Sequence, residues 1–158
     1  LHTINGATRN SLKKRDYLSN QLIRDVHFKW EKVLNFDGMS APYIQYTYAR
    51  SKSIWRKAQL DPTDADLSCL TDDISYELTK KLALYPDIVK DAAYKFEPYI
   101  IARYTYNLAT LFNKFYHECN ILNADDNTKK ARIVLVTAIQ KVIRDSMSLL
   151  GIECPEEM

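Results

Sequence analysis

A chain of 158 residues with 46% hydrophobic and 27% charged positions has the balance of one ordinary globular domain, long enough to bury a proper core. Three glycines and five prolines are too few to punctuate a sandwich or barrel, and no apolar run approaches the roughly 20 residues of a membrane span. The formal charge of +2 is small, but it is unevenly spread. Between Gly38 and Leu60 there is no acid, while Arg50, Lys52, Arg56 and Lys57 supply positive charge. Between Asp61 and Glu77 the charges are all acidic: Asp61, Asp64, Asp66, Asp72, Asp73 and Glu77.

The opening "LHTINGATRN" has no signal-peptide core and does not begin with Met, which reads as a piece of something longer. "RNSLKKRD" (9–16) is crowded with bases and reads as a solvated stretch. "HFKWEKVLNFDG" (27–38) is amphipathic through Phe28, Trp30, Val33, Leu34 and Phe36, one or two helical turns stopped by Asp-Gly. Residues 1–41 are thus expected to form a less regular junction, and 42–158 a helical domain.

Pro42 opens that domain's first helix, where its missing N–H costs least, and the helix should run to about Gln59. Ile44, Tyr48, Ile54 and Trp55 recur at near-helical spacing as its buried seam. "DADLSCL" (64–70) is a linker, and Thr71 is the expected N-cap of a second helix, with Asp72 and Asp73 favouring its positive end. Ile74, Leu78, Leu82 and Tyr85 carry this helix to Pro86. A short third helix covers 86–96, with Ile88, Val89, Ala92, Ala93 and Phe96 apolar. Glu97-Pro98 starts the fourth, whose stripe Ile101, Tyr104, Leu108, Leu111 and Phe115 steps by three or four. The last runs from about Asn127, with Val136, Ile139, Ile143, Met147 and Leu150 facing in and Gly151 at its C′ position. No stretch alternates with the period of a strand. The fold class is all-α, a bundle of about five helices.

Placed on a helix of 3.6 residues per turn, Tyr43, Tyr46, Arg50 and Lys57 fall on one stripe, largely opposite the Ile44/Tyr48 seam. Aromatic rings interleaved with cations make a platform for unpaired bases and their phosphates. The fourth helix repeats the theme, with Tyr116 beside Phe112 and Asn113 and Asn120 one turn on. A plainer reading, half-buried tyrosines with wet hydroxyls and aromatic core filler, fits the same residues. Catalytic signals are thin. His2, His27 and His117 are scattered, Ser11, Ser19 and Ser40 have no visible base, and no glycine-rich phosphate loop occurs. Cys69, Cys119 and Cys154 form no C-x-x-C pair, so neither a metal site nor a disulfide framework is expected, and a reducing cytoplasm suits them.

Taken together, three separated motifs carry a resemblance. "FKWEKVLNFDGMSAPYIQYTYARSKSIWRK" closely resembles the junction segment of arginyl-tRNA synthetases, where a Phe-x-Trp segment leads into a Pro-Tyr-x-Gln-Tyr-x-x-x-Arg helix. "EPYIIARYTYNLATLFNKFYHECNIL" resembles the central helix of that family's anticodon-binding domain, and "ARIVLVTAIQKVIRDSMSLLGIECPEEM" its terminal helix and tail. The resemblance spans about residues 26–158. It implies a tRNA-holding piece of a class I synthetase whose catalytic domain, on the same chain, forms arginyl adenylate from ATP. The His-Ile-Gly-His-like and Lys-Met-Ser-Lys-Ser-like motifs of that domain do not occur, so the piece should perform no chemistry and hold no cofactor of its own. Carried over residue by residue, it assigns anticodon-loop contacts to Tyr43, Tyr46, Arg50, Tyr116, Asn120 and Met158. It further implies a cytoplasmic monomer with arginine tRNA as partner. The family's usual Pro-Glu-Arg-Met ending is "PEEM" here, with Glu157 in place of a base. The tyrosine helices are expected to converge by running antiparallel. The helical domain of another class I synthetase, or a protein-interaction module with a tyrosine-rich face, are the alternatives.

Overall fold

Ser40 sets the first helix: its backbone is extended (φ −108°, ψ 148°) and its hydroxyl accepts a hydrogen bond from the Tyr43 amide at 3.3 Å. The computed structural model describes residues 40–157, and α1 covers Ala41–Ala58. Of the junction expected over 1–41, all but Ser40 and Ala41 lies outside the described residues, as does the amphipathic segment 27–38. A 3-10 turn at Leu67–Cys69 sits within the expected linker. Then follow α2 (Asp73–Ala83), α3 (Tyr85–Lys95), α4 (Tyr99–Glu118) and α5 (Asp126–Leu149). Five α-helices and no strand occur among the described residues, as the periodicity indicates.

The central helix is α4. It buries Ile101, Tyr104, Leu108, Phe112 and Phe115, while Leu111 of the expected stripe is only partly covered. Against it pack α1, α2, α3 and α5, and all five apolar residues expected of the last helix are buried. That helix ends as glycine dictates. Gly151 adopts φ 66°, its amide donates to the Ser148 carbonyl and the Ile152 amide to the Met147 carbonyl, both at 2.9 Å. This paired closure needs a left-handed residue, which glycine supplies at no steric cost. It turns the chain back so that Ile152 is buried and the tail 153–157 returns along α1.

Three details depart from the sequence reading. Trp55 is 48% exposed, although it lies on the Ile44/Tyr48 side of the helix. The buried arc of α1 turns from Ala41, Ile44 and Tyr48 to Ser51, Ile54 and Ala58, which leaves Trp55 on the rim of a groove against α5. Phe96, counted among the apolar residues of the third helix, is 80% exposed and holds φ 54° as the left-handed terminator of α3. The cap of α2 is Asp72 rather than Thr71: its carboxylate accepts from the Ser75 amide at 2.8 Å and hydroxyl at 2.9 Å.

Asp72 gains further partners that Thr71 lacks. Arg132 of α5 stands 3.5 Å from Asp72 Oδ2, and the Cys119 thiol donates to Asp72 Oδ1 at 3.6 Å. Partial burial pushes the Asp72 carboxyl up, but the Ser75 and Cys119 hydrogen bonds and the Arg132 charge outweigh it and hold it below its ordinary 3.8. A lowered carboxylate stabilises the fold fully above its unfolded value, and that contribution disappears as pH falls through the folded value. Asp72→Ala should therefore cost about 1–2 kcal/mol at neutral pH. The difference from the parent should shrink below pH 4, which urea unfolding at pH 7 and pH 3 will show. An equal cost at both pH values would contradict the assigned cap.

Candidate nucleic-acid interface

Arg50 organises the surface between α1 and α4. Its guanidinium carbon lies 4.7 Å from the centre of the Tyr46 ring, on its own helix, and 4.8 Å from that of Tyr116 on α4. Within about 6 Å a ring's negative face attracts a cation, so the three side chains form one cluster. Two hydrogen bonds orient the guanidinium further. Nη1 donates to Asn113 Oδ1 at 2.9 Å and Nη2 to the Tyr46 hydroxyl at 3.2 Å. Behind them, Asn113 Nδ2 donates to the Tyr43 hydroxyl and to Thr47 Oγ1, both at 2.9 Å. Thr47 Oγ1 in turn donates to the Tyr43 carbonyl at 2.9 Å.

These contacts also fix how the helices meet. Tyr43 packs on Tyr106, with ring centres 5.5 Å apart, whereas Arg50, two turns later, packs on Tyr116. Contacts advance in the same direction along both helices, so α1 and α4 are parallel here. The expected antiparallel arrangement is incorrect, yet the tyrosines still converge. The reason is register: α1 meets α4 along its second half, not at its beginning.

The expected outward stripe divides. Tyr46 (48% exposed), Arg50 and Lys57 face outward, and Tyr116 is 40% exposed beside them. Tyr43 is half-buried against Tyr106, with its hydroxyl engaged by Asn113, so it stands behind the cluster rather than on the open face. An open depression of about 470 Å³ is lined by Tyr46, Ala49, Arg50, Ser53, Arg56, Tyr116, Glu156 and Glu157. Tyr116 also forms the wall of a second, about 350 Å³, whose lining includes Ile54, Cys119 and Asn120. Asn120 is exposed there, but its Oδ1 accepts from the Asn123 amide at 3.3 Å, fastening the turn after α4. Met158 lies outside the described residues; its neighbours Glu156 and Glu157 reach the first depression.

The tail changes the electrostatics of α1. Gln45 Nε2 donates to the Glu153 carbonyl at 2.7 Å, Lys52 pairs with Glu156 at 2.9 Å, and Arg56 with Glu157 at 3.1 Å. Positions 45, 52 and 56 are spaced by seven and four, a stripe of their own beside the Arg50 stripe. The Lys52 ammonium, through its hydrogen bond and its charge, holds the Glu156 carboxyl below the usual range. Two of the four cations that mark the sequence as basic are therefore matched by tail carboxylates. Glu157, which departs from the resemblance, has Arg56 as its partner.

Asn113 is the residue that sequence reasoning passed over: it stands beside Tyr116 on the aromatic face, but nothing in its spacing marks it as a hub. Cys69, Cys119 and Cys154 are free thiols. Burial pushes Cys154 up to about 12, so its thiol stays protonated and unreactive at neutral pH. Among the described residues no group of His, Cys, Asp or Glu could hold a metal ion, and no helix is long and apolar enough to cross a membrane.

Comparison with known proteins identifies the family and the fold. Residues 44–158 match the model of the DALR anticodon binding domain. The chain is 46% identical over 143 residues to an arginine–tRNA ligase of Clostridium botulinum, covering 90% of this chain and 25% of that protein. It is 42% identical over 142 residues to one of Alkaliphilus metalliredigens, at 89% and 25% coverage. The chain thus spans about a quarter of the length of these relatives. Among solved structures, arginyl-tRNA synthetase of Thermus thermophilus superposes with a TM-score of 0.90 at 27% identity, over 96% of this chain and 27% of that one. That of Plasmodium falciparum gives 0.86 at 28% identity, with the same coverage. With its helices in this arrangement and the family model matching most of its length, the chain belongs to the DALR anticodon-binding-domain family.

Proposed function

We propose that this chain holds the anticodon loop of arginine tRNA for an arginine–tRNA ligase of which it is a part. The observation that carries the reading is the convergence of Tyr46, Arg50 and Tyr116 into one partly exposed cluster. Exposed ring surface of Tyr46 and Tyr116 accepts splayed-out bases by stacking, and the N–H edge of Arg50 takes a phosphate or a base acceptor. Because the guanidinium is already oriented, little side-chain freedom is lost on binding. Tyr43 supports the cluster from behind, Asn120 borders the neighbouring depression, and Met158 follows the tail residues that line the first. ATP serves the catalytic portion of the parent enzyme, a monomer in the cytoplasm.

A titration against arginine tRNA and one non-cognate tRNA, at 50 and 200 mM salt, tests the reading. Three phosphate contacts on a single strand give a slope of about −2 in log K against log salt, hence about a fifteenfold loss across that range. The cognate tRNA should remain the tighter ligand at both concentrations. The protein-interaction alternative predicts no tRNA binding, and another class I synthetase's domain predicts the opposite preference.

A further inference from the structure

We infer that Asn113 is a positioning residue for RNA binding: it holds Arg50 between Tyr46 and Tyr116 and joins it to the half-buried Tyr43. The inference rests on the reading that Arg50 contacts RNA. Its structural basis is the bonding pattern of one amide. The single acceptor, Oδ1, takes Arg50 Nη1, and the Nδ2 group donates to both the Tyr43 hydroxyl and Thr47 Oγ1, all three bonds at 2.9 Å. An asparagine has two donors and one carbonyl acceptor, so this arrangement fixes which way the amide points. Neither hydroxyl behind it competes for the guanidinium, and the oxygen is left for Arg50.

The need for such a residue follows from the ring geometry. Cation–ring attraction is broad, so contacts at 4.7 and 4.8 Å leave the guanidinium free to rotate about the stack. The hydrogen bond from Nη1 to Asn113, at 2.9 Å and shorter than the 3.2 Å bond from Nη2 to the Tyr46 hydroxyl on its own helix, ties that rotation to α4, and with it which N–H groups face the depression. Arg50 is spared the search at the moment of binding. Thr47 is fully buried and bonded to its own helix, so the anchor behind Asn113 is rigid. Asn113 acts through Arg50 and stands beneath the surface that RNA meets.

A double-mutant cycle tests the assignment in this chain, with a full-length arginine tRNA transcript as probe. Arg50→Ala, Asn113→Ala and the double variant are compared, each checked for helical content at the assay temperature. If Asn113→Ala is not folded there, Asn113→Ser takes its place, since it also withdraws the acceptor from Nη1. Removing Asn113 in the parent is expected to weaken binding roughly tenfold, a typical coupling for residues in one hydrogen-bonded network. In the Arg50→Ala background the same change should cost less than about twofold. A nitrogen-15 spectrum adds a readout independent of RNA: the Arg50 Nη protons should be resolved in the parent and collapse in the Asn113 variant. Equal losses in both backgrounds, or a spectrum unchanged by removing Asn113, would overturn the positioning role while leaving Arg50's own role intact. If Arg50→Ala binds like the parent, the RNA-contact reading itself fails, and this inference with it.

Discussion

Ile139→Ala should lower the stability of the domain by about 2–5 kcal/mol, and Arg50→Ala by only about 1 kcal/mol. Ile139 has no exposed surface and belongs to the continuous cluster that α5 forms with α1 and α4. Shortening it removes three carbons from a site that cannot collapse, because its neighbours Val136 and Ile143 are themselves fully buried on the same helix. For a domain of this size the loss corresponds to a fall in melting temperature of about 5–20 °C. Arg50, by contrast, stands at the rim. Truncating it forfeits two cation–ring contacts and two hydrogen bonds, but water can reach the groups it leaves. RNA affinity should move the other way, falling for Arg50→Ala and holding for Ile139→Ala below its melting transition. Thermal melts paired with tRNA titrations decide the matter. Greater destabilisation from Arg50→Ala than from Ile139→Ala would show that the rim and the core have been interchanged.

The same contrast explains what the sequence discloses and what it withholds. Helix existence follows from strong local signals: Ser40 and Pro42 at one end of α1, three-four spacing along α4, and Gly151 beyond α5. Each acts within a turn or two of itself. Burial of Trp55 depends instead on where the buried arc of α1 lies once α5 packs against it, which leaves Trp55 on the rim of the groove and which no local pattern encodes. Phe96 is apolar in sequence, yet its position at the end of α3 demands a backbone reversal that leaves its ring exposed. At the site, helical spacing places Tyr46 and Arg50 on one face, since four residues make about one turn. That Tyr116 joins them is tertiary information, and the antiparallel guess fails for this reason. Asn113 is less legible still. Its meaning lies in three partners on another helix, 63 to 70 positions away in the chain. The matching of Glu157 to Arg56 is of the same kind, and in sequence it looks only like a lost base.

Tyr116→Ala is expected to weaken binding of any tRNA that enters the depression, whereas changes to the tail should alter discrimination. Tyr116 is the wall shared by the two depressions and covers Arg50, so its loss removes a stacking surface worth roughly 1–3 kcal/mol per base, about five- to 150-fold in affinity. Every base has a π-face, so cognate and non-cognate tRNA should lose similar factors. The tail works differently. Glu156 and Glu157 cover Lys52 and Arg56, and their carboxylates repel any phosphate that approaches those cations without a compensating contact. Glu156→Gln with Glu157→Gln keeps the tail's length and shape but releases both cations. Affinity for both tRNAs should then rise, by up to about fivefold per exposed pair. The salt dependence should steepen by about 1.4, two added single-strand contacts at 0.7 each. Deletion after Cys154 also frees the cations, but it strips the polar and backbone groups of 155–157 from the edge of the depression. Non-cognate tRNA should therefore gain more than cognate tRNA, and the ratio of their affinities should fall. An unchanged ratio after deletion would remove the tail from the reading pocket and leave Glu156 and Glu157 as partners of α1 alone.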